Sequence, residues 1–271
     1  MIPLLRIAAS TLVGTVGLAG LLHLIPRLGI AGTRIGAWLC RAPGLDLVVS
    51  LFTWIPPTVL GVLYSWRGVA GSIIGQVVGM LVWTFAHELA NRKDVKGPRI
   101  VTFLNRTVGR LNNHVALWAT AAAVPVFIFI RAAELGIYPI LTLLVRLPRY
   151  RHADWVNVSR QKFHGLVGQD LIWCLYCDWM TGVYALGAEI LRNVESFWCP
   201  IRFADRKKCE NCKLDFPDIH DGWVAPEGTM GDVVATLEKM YGAQATADLP
   251  QDQRHPWFGH PVRKKVERRA T

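Results

Sequence analysis

The sequence predicts an all-α integral membrane protein. It reads as about four membrane segments, one of them re-entrant, with a small cytosolic Cys-rich module and a short amphipathic helix. Three observations predict this. Of the 271 residues, 52% are hydrophobic and the mean hydropathy is +0.27, too apolar for an ordinary soluble domain. Long apolar runs recur through residues 1–150. The net charge is +10, and Lys and Arg collect between the runs, as in cytosolic loops and contacts with anionic lipid. A nucleic-acid partner would require a soluble basic face with a docking module, and the sequence has none. The 11 tryptophans suit interfacial belts.

The first run, Ile7 to Ile25, is long enough as a helix to cross the hydrocarbon layer, at ~1.5 Å per residue. It exceeds the roughly 7–15 residues of a signal h-region and is read as an uncleaved anchor. Leu45 to Trp66 is the second segment. Pro56 and Pro57 are expected to kink it, because each lacks a donor, and neighbouring helices must then satisfy the freed carbonyls. The third follows at once. Gly71, Gly75 and Gly79 recur every four residues on one face, a small-xxx-small stripe for helix contact.

Asn91 to Asn113 reads as a basic connector. Val115 to Ile130 is apolar, with Pro125 inside, and is followed by Arg131, Glu134 and "IYPILTLLV". Either one span precedes an interfacial helix, or a re-entrant pair has Arg131 and Glu134 near its tip. Cations decide between them. Arg27, Arg34 and Arg41 lie in the first connector, Arg92, Lys93, Lys96, Arg99, Arg106 and Arg110 in the third, and only Arg67 in the second. The amino terminus is therefore expected outside and connectors one and three inside. The next segment, "RLPRYRHADWVNVSRQK", is basic too, which favours the re-entrant form. Downstream, Met230, Val233, Val234, Leu237, Met240 and Tyr241 have helical spacing behind Thr229, an N-cap residue. The domains are read as a membrane part, 1–150, a Cys-rich cytosol-facing module, 151–242, and a flexible basic tail, 243–271.

Five of the six cysteines fall in one window: Cys174, Cys177, Cys199, Cys209 and Cys212. Between Leu166 and Asn193, read as a helix, Asp170, Cys174, Cys177 and Thr181 share about a 60° arc. One reading of the stripe is close helix packing, since cysteine behaves as a small hydrophobe. Asp170 and Asp178 weigh against it unless they pair with Arg or Lys of the basic segments. "CENCK" resembles a zinc knuckle, with lysines that favour thiolate. Two CxxC pairs with a further Cys between them form a metal-site pattern. The ligands are read as Cys174, Cys177, Cys209 and Cys212, or as Cys199, Cys209 and Cys212 with His220. Zinc is the expected metal, and iron or an iron–sulfur cluster the alternative.

Other motifs carry less. "FAHELANR" has His87 and Glu88 but lacks the second histidine of a zincin helix. His23, His87 and His114 read as interfacial histidines rather than haem ligands, and His152 and His164 as spare ligands. The expected function is a metal-binding accessory or assembly subunit of a larger membrane complex, in the inner or cytoplasmic membrane and more readily non-enzymatic than catalytic. Its partners are the lipid bilayer and membrane subunits, or a second copy through Gly71, Gly75 and Gly79. The alternatives are an oxidoreductase or electron carrier using iron or the Cys174–Cys177 dithiol, and a transporter with Arg131 and Glu134 on its path.

Overall fold

The computed structural model describes residues 2–163, 165–199, 201, 224–244 and 247. The chain is mostly helical, with no strands among the described residues. Three helical stretches are long and apolar enough to cross a membrane: Leu4–Arg27, Ile55–Ala90 and Arg110–Val145. Many of their large apolar side chains face outward, among them Phe85, Phe129, Leu143 and Leu144. Water would penalise such a surface, and lipid tails would not.

The chain divides into two compact units. The first holds the described residues of Met1–Phe127 and His152–Val183; the second holds those of Ile128–Arg151 and from Tyr184 on.

In the first unit, α1 (Ile2–Leu24) lies along α4 (Ile55–Ala90). The glycine stripe makes the contact. A Cβ on Gly71 would meet Ile7 Cγ2 at 2.9 Å, on Gly75 the Ala8 carbonyl oxygen at 2.4 Å, and on Gly79 Thr15 Cβ at 3.0 Å. These glycines therefore serve helix packing within the chain. The register rises along both helices, so α1 and this part of α4 run parallel. At the far end His23 stacks on Trp83 and His87, with ring centroids 5.6 and 5.2 Å away.

Parallel neighbours need a return between them. After α2 (Gly29–Leu39) it runs through α3 (Gly44–Phe52) and the first arm of α4. Tyr64 and Ser65 leave helical geometry, with Ser65 at φ +56°, and α4 folds into arms 55–63 and 66–90. The arms touch where Gly68 stands: a Cβ there would lie 1.8 Å from the Leu60 carbonyl oxygen.

The expected second segment, Leu45 to Trp66, is thus two helices and not one kinked helix. Pro56 and Pro57 open the second instead of bending its middle. Their missing donors cost nothing in a first turn, where the N–H would be unsatisfied anyway. The carbonyls four residues before them, Phe52 and Thr53, accept from Gln76 Nε2 of the neighbouring arm at 3.0 and 2.8 Å.

The connector from Asn91 to Asn113 is largely helical: α5 (Arg92–Val95), α6 (Ile100–Val108) and the start of α7 (Arg110–Ala121). Gly109, at φ +88°, turns α6 into α7. Then α8 (Val124–Val145) runs unbroken through Arg131 and Glu134. The expected re-entrant tip there is absent. Arg131 Nη1 and Glu134 Oε2, 2.6 Å apart and both buried, neutralise each other one turn apart, so the helix carries both charges without reversing.

A short α9 (His152–Trp155) leads towards α10 (Gly168–Trp198), which starts two residues after the expected cysteine helix and runs five residues beyond its expected end. Backbone pairing of Ala42 N with Val156 O and of Val158 N with Cys40 O, both 2.9 Å, ties this lead-in to the first connector.

In the second unit, Tyr138 donates to Pro148 O at 2.8 Å and Tyr150 to Glu189 Oε1 at 3.2 Å. Asn193 Nδ2 also bonds the Tyr150 hydroxyl. Leu147 is buried beside Tyr138 among Leu141, Val145, Ile190 and Val194. The amphipathic helix α11 (Met230–Tyr241) begins with a capping box: Asp232 N donates to Thr229 Oγ1 and Thr229 N to Asp232 Oδ2. Its Val233 is buried, while Met230 and Val234 are exposed.

Candidate functional site

Two polar constellations stand in the first unit, both built on the start of α10. The first closes around Arg99, at the mouth of α6. Arg99 Nε lies 3.0 Å from Asp170 Oδ2 and Nη2 lies 2.8 Å from Glu88 Oε1. Nη2 also donates to Val167 O at 3.3 Å. Burial opposes the guanidinium charge, but the bonds to Glu88 and Asp170 more than offset it, and Arg99 holds its proton more tightly than usual.

The same groups cap α10. A helix start leaves unpaired N–H groups and a partial positive charge. Here Gly168 N donates to His87 Nδ1 at 3.1 Å and Gln169 N to Glu88 Oε1 at 3.2 Å. Gly168 is at φ +53°, and a Cβ on it would fall 2.2 Å from Glu88 Cγ. Asp170 Oδ1 accepts from Val101 N at 3.1 Å, fixing the start of α6 as well. Gln169 Nε2 reaches His114 Nδ1 at 3.3 Å. "FAHELANR" is therefore the cap of a distant helix. His87 accepts a backbone proton and stacks on Trp83, so it works as a structural side chain.

The second constellation is a cysteine ledge. The inward face of α10 carries Leu171, Trp179, Val183 and Leu186, all buried. Its close approach is at Gly182, where a Cβ would lie 2.4 Å from Trp155 O. Cys174 and Cys177 stand on the opposite side, Cys174 half-buried and Cys177 exposed. Arg160 interacts electrostatically with both thiols, and its own proton is held more tightly, first through Cys177. Burial pushes the Cys174 thiol up, although Arg160 pulls the other way. Asp178 anchors the loop carrying Arg160: Oδ2 accepts from Ser159 N at 2.8 Å, and Oδ1 lies 3.3 Å from Arg160 Nε. Both aspartates of the helix thus pair with arginines of the basic segments.

No family model matches the chain. No curated protein and no solved structure matches it either.

Of the expected ligands, Cys174 and Cys177 come together on the ledge. Cys199 follows the last residue of α10 and is exposed. Cys209, Cys212 and His220 lie outside the described residues, as do His164 and nearly all of the expected tail. Among the described residues no three His, Cys, Asp or Glu side chains converge as a metal centre. Cys40 stands apart, with Gln161 Nε2 3.2 Å from its sulfur and its thiol pushed up by burial. Helical spacing calls for cations beside Asp170 and Asp178 but does not single out Arg99 and Arg160 as those cations. Each pairs across long loops, and periodicity carries no signal for such pairs.

Proposed function

We propose that the protein is a membrane-anchored, zinc-binding accessory or assembly subunit of a larger complex in the inner or cytoplasmic membrane, with its cysteine module towards the cytosol. The observation that carries this reading is the ledge: Cys174, half-buried, and Cys177, exposed, lie one turn apart on the side of α10 away from Trp179 and Val183. A stripe meant for helix packing would be covered. Two thiols one turn apart form half of a tetrahedral thiolate site. A disulfide between them is disfavoured, because Cβ atoms one helical turn apart lie roughly 5–6 Å from each other and a disulfide needs about 3.5–4.5 Å.

Cys209 and Cys212 are the proposed other half, with Cys199 and His220 as the alternative ligands. Eleven residues, the number from Trp198 to Cys209, can reach roughly 35 Å when extended, about the helical rise from Cys177 to Trp198. The stacking of His23 on His87 supports the orientation. It brings the ends of α1 and α4 to one level, so Arg27 and the cations after Ala90 share a side, and the positive-inside rule makes that side cytosolic. The start of α10 is tied to the same end through Glu88 and Arg99. The return through α3 and the first arm of α4 is read as a broken crossing, the second of the expected membrane segments.

Metal content and visible absorbance of anaerobically purified protein test the reading, beside a Cys174→Ser/Cys177→Ser and a Cys209→Ser/Cys212→Ser variant. One zinc per chain, lost in either variant, is expected. Iron with a band that bleaches on reduction would replace the proposal with electron transfer. Absence of metal, or loss in only one variant, would overturn the shared site.

A further inference from the structure

We infer that α6 lies in the membrane interface and, with the cations around it, binds the headgroups of an anionic lipid leaflet. The inference rests on the membrane-spanning helices and is independent of any metal. The segment from Asn91 to Gly109 joins two helices long and apolar enough to cross, Ile55–Ala90 and Arg110–Val145, so it sits at a membrane surface. α6 rises only ~14 Å, too short to cross.

Its faces are arranged for lipid. Ile100, Phe103, Leu104 and Val108 share an arc of about 140°, and all four are exposed, as is Leu111 beyond Gly109. The contact towards α7 is polar: Asn113 Nδ2, on a buried side chain, donates to Asn105 Oδ1 at 2.9 Å. A helix with amides turned inward and an apolar arc turned outward is inverted for water. It suits the headgroup–acyl boundary, where such an arc sinks about 5–10 Å.

Charge selects the leaflet. Arg92, Lys93, Lys96, Arg106 and Arg110 are all exposed, and Asp94 is the one acid between Asn91 and Asn113. Arg106 leans over the Phe103 ring at 6.0 Å, as a cation does when its stem follows an apolar face to the headgroups. Arg99 is held by Glu88 and Asp170 and stays out of this set.

The test uses the full chain in vesicles of phosphatidylcholine, with or without phosphatidylglycerol. The photo-crosslinker benzoylphenylalanine is placed at Phe103 or, on the opposite face, at Thr102. Lipid adducts are expected at position 103 and not at 102, enriched in phosphatidylglycerol. A Lys93→Gln/Lys96→Gln/Arg106→Gln variant should keep the adduct and lose the preference, by roughly fivefold per cation at low salt. Added salt should weaken the preference in the unaltered chain. Adducts to a second copy or to another protein at 103, equal labelling at both positions, or no preference for phosphatidylglycerol would each overturn the inference. Retention of zinc in that variant would leave the metal reading untouched.

Discussion

Arg99 Nε stands 3.0 Å from Asp170 Oδ2, joining residues 71 apart in the chain. Both side chains are 8% exposed. Through this pair and Glu88, the start of α10 is fixed to the end of α4 and the start of α6. Removing one partner strands a buried charge, at about 3–5 kcal/mol. Asp170→Asn and Arg99→Met should each destabilise the chain by that order in SDS titration of detergent-solubilised protein. Arg99→Met with Asp170→Asn should cost less than the sum of the two, because the loss of either partner already removes their shared ion pair; Glu88, 26% exposed, is the charge left beside them. Additive losses would mean the two residues act separately.

Gln76 replaces donors that two prolines lack. Its Nε2 serves the carbonyls of Phe52 and Thr53. Gln76→Leu leaves both without a donor where water is scarce, at about 1–3 kcal/mol for each carbonyl. The same SDS titration should show the loss. A neutral result would mean that another donor takes over.

Glycine substitutions separate a packed face from an open one. Gly75→Ala places a methyl against the Ala8 carbonyl and should cost roughly 1–3 kcal/mol by forcing α1 from α4. Gly17, in the same helix pair, has nothing within 4 Å of a Cβ. Gly17→Ala should be neutral or stabilise by about 0.5–1 kcal/mol. Unfolding curves of the two variants, read side by side, decide it.

Tyr150 predicts an alkaline limit. Burial, and then the charge of Glu189, raise its phenol well above the ordinary 10.0. Above pH 10 the unfolded chain has released that proton and the folded chain has kept it. Stability is therefore full below pH 10 and falls as pH rises beyond it. The slope of stability against pH above 10 should be shallower for Tyr150→Phe. Equal slopes would place the alkaline loss elsewhere.

Alkylation of the metal-free protein should tell the two ledge cysteines apart. Cys177 is exposed, while Cys174 is half-buried with its thiol pushed up, so Cys174 should react more slowly at neutral pH. Its rate should climb as pH passes the ordinary thiol value of 9.0. Arg160→Gln removes a group that favours the thiolate and should slow Cys174 further. Peptide mapping after timed alkylation gives both rates.

Much of this architecture was legible in residue order. Apolar runs locate the helices long and apolar enough to cross a membrane, because a crossing needs a fixed length of hydrocarbon-compatible side chains. The four-residue glycine repeat marks a close contact, and Thr229 with Asp232 marks a helix start, since both act within a turn or two. The stripe of Asp170, Cys174 and Cys177 follows from helical spacing alone.

What lay beyond it has one physical cause. The glycine stripe meets α1, the return breaks at Thr53 where Gln76 reaches it, and Asp170 takes Arg99 as its cation. Each outcome depends on which distant group supplies a donor, a countercharge or an open surface. Local spacing sets what a segment needs: two prolines need a carbonyl satisfied, and a buried aspartate needs a cation. Only the tertiary structure decides that Gln76 and Arg99 provide them, because those contacts arise across long loops that leave no periodic trace in the sequence.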